Sequence, residues 1–229
     1  MFSRNKNEYT IERLIAIGDI HGCFDQLYEL IIIKIGIKKD DKIVLLGDYI
    51  DRGPDSKGVL DLIMKLIDEG YDLIPIMGNH EDMMLSARDH RLDILNWSVN
   101  GGEKTMLSFN VSSVLDIDEK YFTFLRSMKK YHVHDRYIFV HGGFNDDIDD
   151  PFSDEFSMMW DRRFEYKSQV FKDKIIIHGH RPRSLEELRK EISTLPRVIN
   201  LDTGCVYGRS GAYGYLSGLD MSAMELYYV

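Results

Sequence analysis

Aspartate, histidine and asparagine side chains, which commonly bind divalent metals, are concentrated in five short glycine-containing blocks. The blocks are Gly18-Asp-Ile-His-Gly22, Gly47-Asp-Tyr-Ile-Asp-Arg-Gly53, Gly78-Asn-His-Glu81, His141-Gly-Gly143 and His178-Gly-His180. Carboxylate oxygens, amide oxygens and imidazole nitrogens together suit Mn, Fe or Zn better than calcium. Glycine allows the backbone to turn sharply and to approach a ligand closely. The blocks could therefore build a metal-dependent catalytic site.

The segments that precede the first three blocks have the pattern of buried strands. Apolar runs at residues 14–17, 43–46 and 73–77 are separated by segments with apolar residues at helical spacing. The second of these helices is predicted to begin at an N-cap residue, Ser56, just after Pro54. Alternating strands and helices predict a parallel sheet, in which ligands bind beyond the carboxyl ends of the strands. The polar blocks are thus expected to share one cleft.

The rest of the chain is predicted to add a second, strand-rich layer. Residues 81–130 have a mainly helical pattern, and strands are predicted at 137–140, 174–177, 197–201, 213–219 and 224–229. A capping box, Ser184 to Glu187, is predicted to begin a late helix. No repeat or Pro/Ser-rich linker interrupts the sequence, so residues 1–229 are predicted to form a single domain.

Each block on its own has an ordinary explanation. A single aspartate after a strand is usually a turn or cap residue, and a single histidine there is usually a surface residue. Five such blocks, each after an apolar run, favour a common functional site over five independent turns.

Composition and charge exclude several other classes of protein. The chain of 229 residues has a net charge of −9 and no basic cluster, which argues against a nucleic-acid partner. Its longest apolar stretch, residues 30–33, is too short to span a bilayer, and residues 1–10 lack the apolar core of a signal peptide. Cys23 and Cys205 provide no disulfide framework. These features predict a cytoplasmic protein without a membrane partner, and they indicate no particular oligomeric state.

The five blocks, in this order, resemble the phosphoprotein phosphatase branch of the calcineurin-like metallophosphoesterases. The likeness is greatest to the bacterial and phage-lambda-type serine/threonine protein phosphatases, and it extends from Ile15 to about Tyr207. The segments 79–84, 100–102 and 159–162 also resemble the phage-type enzymes. The resemblance implies an α/β fold: a central β-sandwich of two mixed sheets flanked by helices, with a binuclear metal centre between the sheets.

The resemblance also implies a set of metal ligands. Asp19 and His21 would bind one metal, Asp48 would bridge both, and a second group would bind the other: Asn79, His141 and His180. His180 is chosen over His178 because the family's ligand follows the glycine of the last block. Two divalent ions are expected, Mn²⁺ by preference and Fe or Zn as alternatives, sharing a water that is aimed in line at phosphorus.

The expected reaction is hydrolysis of phosphoserine and phosphothreonine in phosphoprotein substrates. In the family the histidine of the third block protonates the leaving group, which implies His80 as general acid, with Asp51 as its orienting carboxylate. Arg52 and Arg162, together with Asn79, would bind the phosphate, because the planar guanidinium donates two parallel hydrogen bonds.

Two alternative functions compete with this interpretation. A dinucleoside tetraphosphate hydrolase, or a broad-specificity phosphoesterase of the same superfamily, would share the metals. Those hydrolases usually end the third block in Asp and lack an acid before the second-block arginine, so Glu81 and Asp51 favour the protein phosphatase. A non-catalytic phosphoprotein-binding module should have lost a ligand or the acid, and none is missing.

Overall fold

The computed structural model describes residues 12–163, 165–208 and 211–229, so the prediction about residues 1–10 lies outside the described part. In chain order its strands are β1 (Leu14–Ile17), β2 (Lys42–Leu45), β3 (Asp72–Pro75), β4 (Tyr131–His134), β5 (Tyr137–Val140), β6 (Ile175–His178), β7 (Val198–Asn200), β8 (Ser217–Asp220) and β9 (Glu225–Tyr228). They form a five-stranded sheet in the order β3-β2-β1-β8-β9 and a four-stranded sheet in the order β4-β5-β6-β7.

Both sheets are mixed, as the family resemblance implies. In the first sheet β1, β2 and β3 pair in parallel, and β8 runs antiparallel to both β1 and β9. In the second sheet β5, β6 and β7 pair in parallel, and β4 is antiparallel to β5. The parallel strands of each sheet therefore end at one edge, and the five polar blocks follow these strands.

The alternation of side chains along β1 shows how the sheets are buried. Ile15 and Ile17 pack with the helices on the outer face of the first sheet. Leu14 and Ala16 belong to the core between the two sheets, together with residues of the second sheet such as Phe139. Because successive side chains of a strand point to opposite faces, a fully apolar strand is buried on both sides. Such strands hold the loops at their ends in fixed positions.

Eight helices are present in the described part of the chain. They are α1 (Phe24–Tyr28, continued by a π-helical segment Glu29–Lys34), α2 (Ser56–Asp68), α3 (Asn79–Asp89), α4 (Ile94–Trp97), α5 (Glu103–Ser108), α6 (Glu119–Ser127), α7 (Glu155–Trp160) and α8 (Leu185–Ser193). The predicted capping box of α8 is confirmed, because Ser184 Oγ accepts the Glu187 N–H and Glu187 Oε2 accepts the Ser184 N–H. Among these residues no helix combines the length and apolar character needed to cross a membrane.

The structure corrects three local predictions. The N-cap of α2 is Asp55, whose Oδ1 accepts the N–H of Gly58 at 2.8 Å; Ser56 is the first helical residue, and its Oγ instead accepts the backbone N–H of Asp51. Strand β4 was missed, because an edge strand with partly exposed side chains lacks the apolar run that marks a buried strand. The strand predicted at 213–219 begins only at Ser217.

Candidate active site

The loops after β1 and β2 lie against each other. The backbone N–H of His21 donates to the carbonyl of Asp48 at 2.7 Å, and that of Gly22 donates to the carbonyl of Tyr49 at 2.8 Å. In the second sheet, the N–H of Gly179 donates to the carbonyl of His141 at 2.9 Å. These bonds fix the relative positions of loops from neighbouring strands.

Several predicted site residues adopt a backbone conformation that side chains other than glycine rarely occupy. Nine non-glycine residues in the described part of the chain have positive φ, and five of them come from the polar blocks: His21, Asp48, Asp51, Arg52 and His180. Such conformations cost roughly 1–3 kcal/mol each and cluster at functional sites. Their concentration here indicates that the loops are shaped for their side chains rather than for stability.

Three predicted ligands bring their donor atoms to one point. Asn79 Oδ1 lies 3.1 Å from His141 Nε2 and 3.0 Å from His180 Nδ1, and the two imidazole nitrogens are 3.2 Å apart. Atoms that bind one ion at about 2.1 Å in adjacent positions are themselves about 3 Å apart. The triangle formed by Asn79, His141 and His180 therefore has the size of a metal coordination shell.

Asp48 lies between this triangle and a second group of donors. Its Oδ1 is 3.3 Å from His141 Nε2, and its Oδ2 is 3.5 Å from His21 Nε2 and 4.0 Å from His80 Nε2. The two oxygens of one carboxylate thus face two different clusters, Asp48 with His141 and His180, and Asp48 with His21 and His80. This is the arrangement expected of a bridging ligand.

Asp19 lies on the other side of the loop that carries His180. Its carboxylate accepts the backbone N–H of His180, at 3.2 Å to Oδ1 and 2.9 Å to Oδ2. Gly179 passes so close that a Cβ there would be 2.0 Å from Asp19 Oδ1, so only glycine fits. The last block therefore packs directly against the carboxylate of the first block.

Two of the candidate ligands have their rings oriented by a backbone carbonyl. His21 donates from Nδ1 to the carbonyl of Ile50 at 3.0 Å, and His141 donates from Nδ1 to the carbonyl of Leu46 at 2.8 Å. In both residues Nε2 faces the cluster, as in metal sites where a backbone carbonyl orients the imidazole.

The electrostatics of the cluster suit cations. Burial alone would raise the pKa of Asp48, but the imidazoles of His141, His80 and His21 outweigh it and hold that pKa well below its usual value. Burial lowers the pKa of His21 and of His180 to about 3, so both imidazoles are neutral and able to bind a metal. Burial opposes the protonation of His141, yet Asp48 and Asp19 raise its pKa to about 10. His141 therefore carries a proton whose positive charge a divalent ion would replace. The donor set fits two such ions.

His80 and Asp51 form a buried pair beside the cluster. His80 donates from Nδ1 to Asp51 Oδ2 at 2.8 Å, and the two residues are 1% and 0% exposed. Burial lowers the pKa of His80, but Asp48 and Asp51 outweigh it and raise the pKa above its usual value. The imidazole is thus biased towards its protonated form, with Nε2 directed at the cluster.

Two residues that hold Asp51 were not predicted from the sequence. Trp97 donates from Nε1 to Asp51 Oδ1 and Oδ2 at 3.1 and 3.0 Å, and Thr105 donates from Oγ1 to Oδ1 at 2.6 Å. Both flank the 100–102 segment noted from the sequence. The contacts could not be inferred from the sequence because 46 and 54 residues separate these partners from Asp51.

Glu81 has a structural role that the sequence reasoning did not assign. Its buried carboxylate accepts the backbone N–H groups of Asp48, Tyr49 and Gly78 at 2.8–3.0 Å. It thereby joins the second and third blocks and fixes the position of Asp48. Asp202 was likewise given no role: it is 2% exposed, and burial, followed by the charge of Asp202, raises the pKa of Asp19.

Both predicted phosphate-binding arginines lie at the edge of the cluster. Arg52 donates from Nη1 to His21 Nε2 at 2.9 Å, and Arg162 donates from Nε to His180 Nε2 at 3.3 Å. One guanidinium therefore contacts each of the two groups of candidate ligands. A phosphoryl group bound between the groups would have an arginine on each side.

The fold and the donor set together define a metallophosphoesterase. The calcineurin-like phosphoesterase family matches residues 12–211, and the chain belongs to that family. The predicted fold, two mixed sheets flanked by helices with the site at the strand ends, is thereby confirmed. The family implies a binuclear divalent metal centre, for which the clusters around Asp48 provide candidate ligands.

Relatives named for different activities match this chain over different lengths. The asymmetrical bis(5'-nucleosyl)-tetraphosphatase PrpE of Anoxybacillus flavithermus is 28% identical over 91% of this chain and 90% of its own length. Serine/threonine-protein phosphatase 1 of Salmonella typhimurium is 41% identical, but over 38% of each chain. A symmetrical bis(5'-nucleosyl)-tetraphosphatase of Nitrosospira multiformis is 30% identical over 57% of this chain and 43% of its own length. The chain thus spans less than half the length of the last two relatives.

A solved structure supports the fold over nearly the whole chain. A protein serine/threonine phosphatase from Saccharomyces cerevisiae superposes with a TM-score of 0.62 at 17% identity, covering 97% of this chain and 80% of its own. At this level of identity the similarity extends to the fold alone.

Proposed function

We propose that this chain is a metal-dependent phosphohydrolase that cleaves dinucleoside tetraphosphates. The observation that carries the proposal is the extent of similarity: the PrpE relative aligns over nine-tenths of both chains, whereas the protein phosphatase relative aligns over 38% of each. This favours the alternative over the protein phosphatase predicted from the blocks, because the shorter similarity is not long enough to include all the elements that surround the site.

In this proposal six side chains hold two divalent ions, and His80, although near Asp48 and His21, is kept as the proton donor. Asp19 and His21 would bind one ion and Asn79, His141 and His180 the other, with Asp48 between them. Such a pair supplies an activated water for in-line attack and offsets charge on the phosphoryl oxygens.

The chain's own residues would then position the phosphate and provide the proton. Arg52 and Arg162, with the side chain of Asn79, donate to the phosphoryl oxygens from opposite sides of the site. His80 would give up a proton from Nε2 to a leaving oxygen that needs one, and Asp51 holds the imidazole by its Nδ1–H bond and favours the protonated form. The bonds from Trp97 and Thr105 fix Asp51 in turn.

A second candidate, hydrolysis of phosphoserine or phosphothreonine in proteins, is favoured by the buried His80–Asp51 pair. A serine alkoxide is a poor leaving group and needs a proton, whereas a nucleotide phosphate leaves readily as an anion. A fully buried acid with its own carboxylate partner is therefore more useful for an alkyl ester than for a polyphosphate.

A substrate comparison separates the two candidates. The purified chain with Mn²⁺ is assayed on diadenosine tetraphosphate and on a phosphoserine peptide, with Asp48→Asn as the control for contaminating hydrolases. We expect kcat/KM for the dinucleotide to exceed that for the peptide by about tenfold or more, a transition-state difference of about 1.4 kcal/mol. The reverse preference would contradict the proposal and support the second candidate.

A further inference from the structure

A cavity of about 570 Å³ opens on the outer face of the second sheet, at the carboxyl ends of β6 and β7. We call it the outer cavity. Its size lies within the usual range of small-molecule sites, about 300–1,000 Å³. The wall includes His178, Arg181, Arg183, Arg197, Asn200 and Tyr213.

The outer cavity shares a wall with the candidate metal centre. His178 belongs to the cavity wall, and two residues later His180 joins the triangle of candidate ligands. Arg181, also in the wall, donates from Nη1 to the carbonyl of Arg162 at 2.6 Å, and the Arg162 side chain contacts His180. The loop that carries His178 and His180, together with Arg162, thus separates the outer cavity from the metal centre.

The lining combines three arginines and apolar surfaces with three glutamates, Glu165, Glu187 and Glu191. Arg183 lies in the wall with its side chain 20% exposed and forms an ion pair with Glu191, while Arg197 donates to the carbonyl of Phe171. Pro182 and the ring of Tyr213 provide apolar area. Guanidinium groups suit phosphate oxygens, and aromatic rings stack on nucleobases regardless of sequence.

His178 supplies a second, independent sign of a ligand. The side chain is 2% exposed, and its Nδ1 has no hydrogen-bond partner among the described residues. Buried polar atoms are nearly always paired, so an unpaired imidazole nitrogen in the wall of a cavity indicates a missing partner. Nucleobase edges and ribose hydroxyls offer such partners.

We propose that the outer cavity, lined by His178, Arg183 and Tyr213, is a binding site for a nucleoside 5'-monophosphate unit. During turnover it would hold the nucleotide of the dinucleoside tetraphosphate that is remote from the cleaved bond; this part rests on the function proposed above. The polyphosphate would cross Arg162 and Arg181, which connect the metal centre to the cavity. A cavity this large exceeds the needs of a single phosphate ion.

The test compares variants in two assays. Arg183→Gln removes the charge, Arg183→Lys restores it, and Tyr213→Ala removes the ring; Arg189→Gln is a matched control, because Arg189 is an exposed arginine of α8 that bonds to Tyr228 outside the cavity. Circular dichroism verifies the folding of each variant. Binding of adenosine 5'-monophosphate is measured by calorimetry in EDTA, so that metal-bound phosphate does not contribute.

We expect wild type and Arg189→Gln to bind the nucleotide equally, and Arg183→Gln and Tyr213→Ala each to weaken binding by about tenfold, the scale of a lost bond to a charged group. Arg183→Lys should recover part of the loss. With Mn²⁺, KM for diadenosine tetraphosphate should rise by a similar factor in Arg183→Gln and Tyr213→Ala. In both variants kcat/KM for p-nitrophenyl phosphate should stay unchanged.

Two results would overturn the proposal. The first is a nucleotide affinity that is the same in wild type, Arg183→Gln and Tyr213→Ala. The second is a loss of kcat/KM on p-nitrophenyl phosphate, which carries no nucleotide, equal to the loss on the dinucleotide. If wild type binds the nucleotide through Arg183 but does not cleave the dinucleotide, the site stands and the proposed function fails. If the dinucleotide is cleaved with unchanged KM in both variants, the proposed function stands and the outer-cavity site is wrong.

Discussion

Replacing His80 by asparagine tests the role of the buried acid. Asparagine keeps a polar side chain of smaller size but cannot donate a proton to the leaving oxygen. If His80 acts only by protonating the leaving group, the loss of activity should follow the basicity of that group. We expect a large loss on phosphoserine peptide and small losses on p-nitrophenyl phosphate and diadenosine tetraphosphate.

The size of the loss follows from the surroundings of His80. General acid catalysis contributes roughly 10²–10⁴-fold, or about 3–5 kcal/mol. The His80 side chain is 1% exposed and its Nδ1 is bonded to Asp51, so bulk water has little access to take over as proton donor. The loss on an alkyl phosphate should therefore be in the upper half of that range, about 10³–10⁴-fold.

The assay measures kcat for wild type and His80→Asn on all three substrates at saturating Mn²⁺. His90→Asn is the control, because it makes the same change at an exposed histidine at the end of α3. Metal content is measured in parallel, since His80 Nε2 also lies 4.0 Å from Asp48. Equal losses on alkyl and aryl phosphates, with metal content unchanged, would refute the acid role and indicate that His80 supports the structure of the site.

Two further predictions concern an arginine and a buried histidine. Arg162→Ala should raise KM and lower kcat for a phosphomonoester, with a combined loss of about 2–4 kcal/mol in transition-state stabilisation, and kinetics that change KM alone would contradict this. Burial lowers the pKa of His178 to about 3, so the unfolded state binds a proton below about pH 6.5 that the folded state does not, and stability from this residue is lost as the pH falls. Urea unfolding in EDTA should therefore show His178→Asn gaining about 1 kcal/mol relative to wild type between pH 6.5 and 5.5, and an unchanged difference would rule this out.

The strands that carry the first three blocks could be predicted to within one or two residues. Their apolar runs are long enough to be recognised without knowing the partner strands, and the Gly-Asp and Gly-Asn steps mark where each run ends. The convergence of the polar blocks followed from parallel pairing, which places the strand ends at one edge.

The parts that could not be predicted depend on contacts between distant segments. Trp97 and Thr105 hold Asp51 only because helices α4 and α5 fold back over the second block. Glu81 was used from the sequence to distinguish enzyme classes, but its bonds to three backbone N–H groups of two loops appear only in three dimensions. The outer cavity is built from the end of β6, the loop before α8 and β7, and no local motif marks it.

The choice of substrate shows the limit of motif reasoning. Asp51 and Glu81 favoured a protein phosphatase, yet a relative that aligns over nine-tenths of both chains is named for dinucleoside tetraphosphates. The blocks describe the metals and the proton donor, which many phosphoesterases share. Specificity depends on the surfaces that hold the rest of the substrate.

The number of divalent ions required for activity distinguishes a binuclear site from a mononuclear one. The metal-free chain is titrated with Mn²⁺ while hydrolysis of p-nitrophenyl phosphate is measured, and bound metal is determined by elemental analysis at each point. Because the two oxygens of Asp48 face separate groups of donors, we predict that full activity requires two ions per chain. Full activity with one tightly bound ion would contradict the binuclear site.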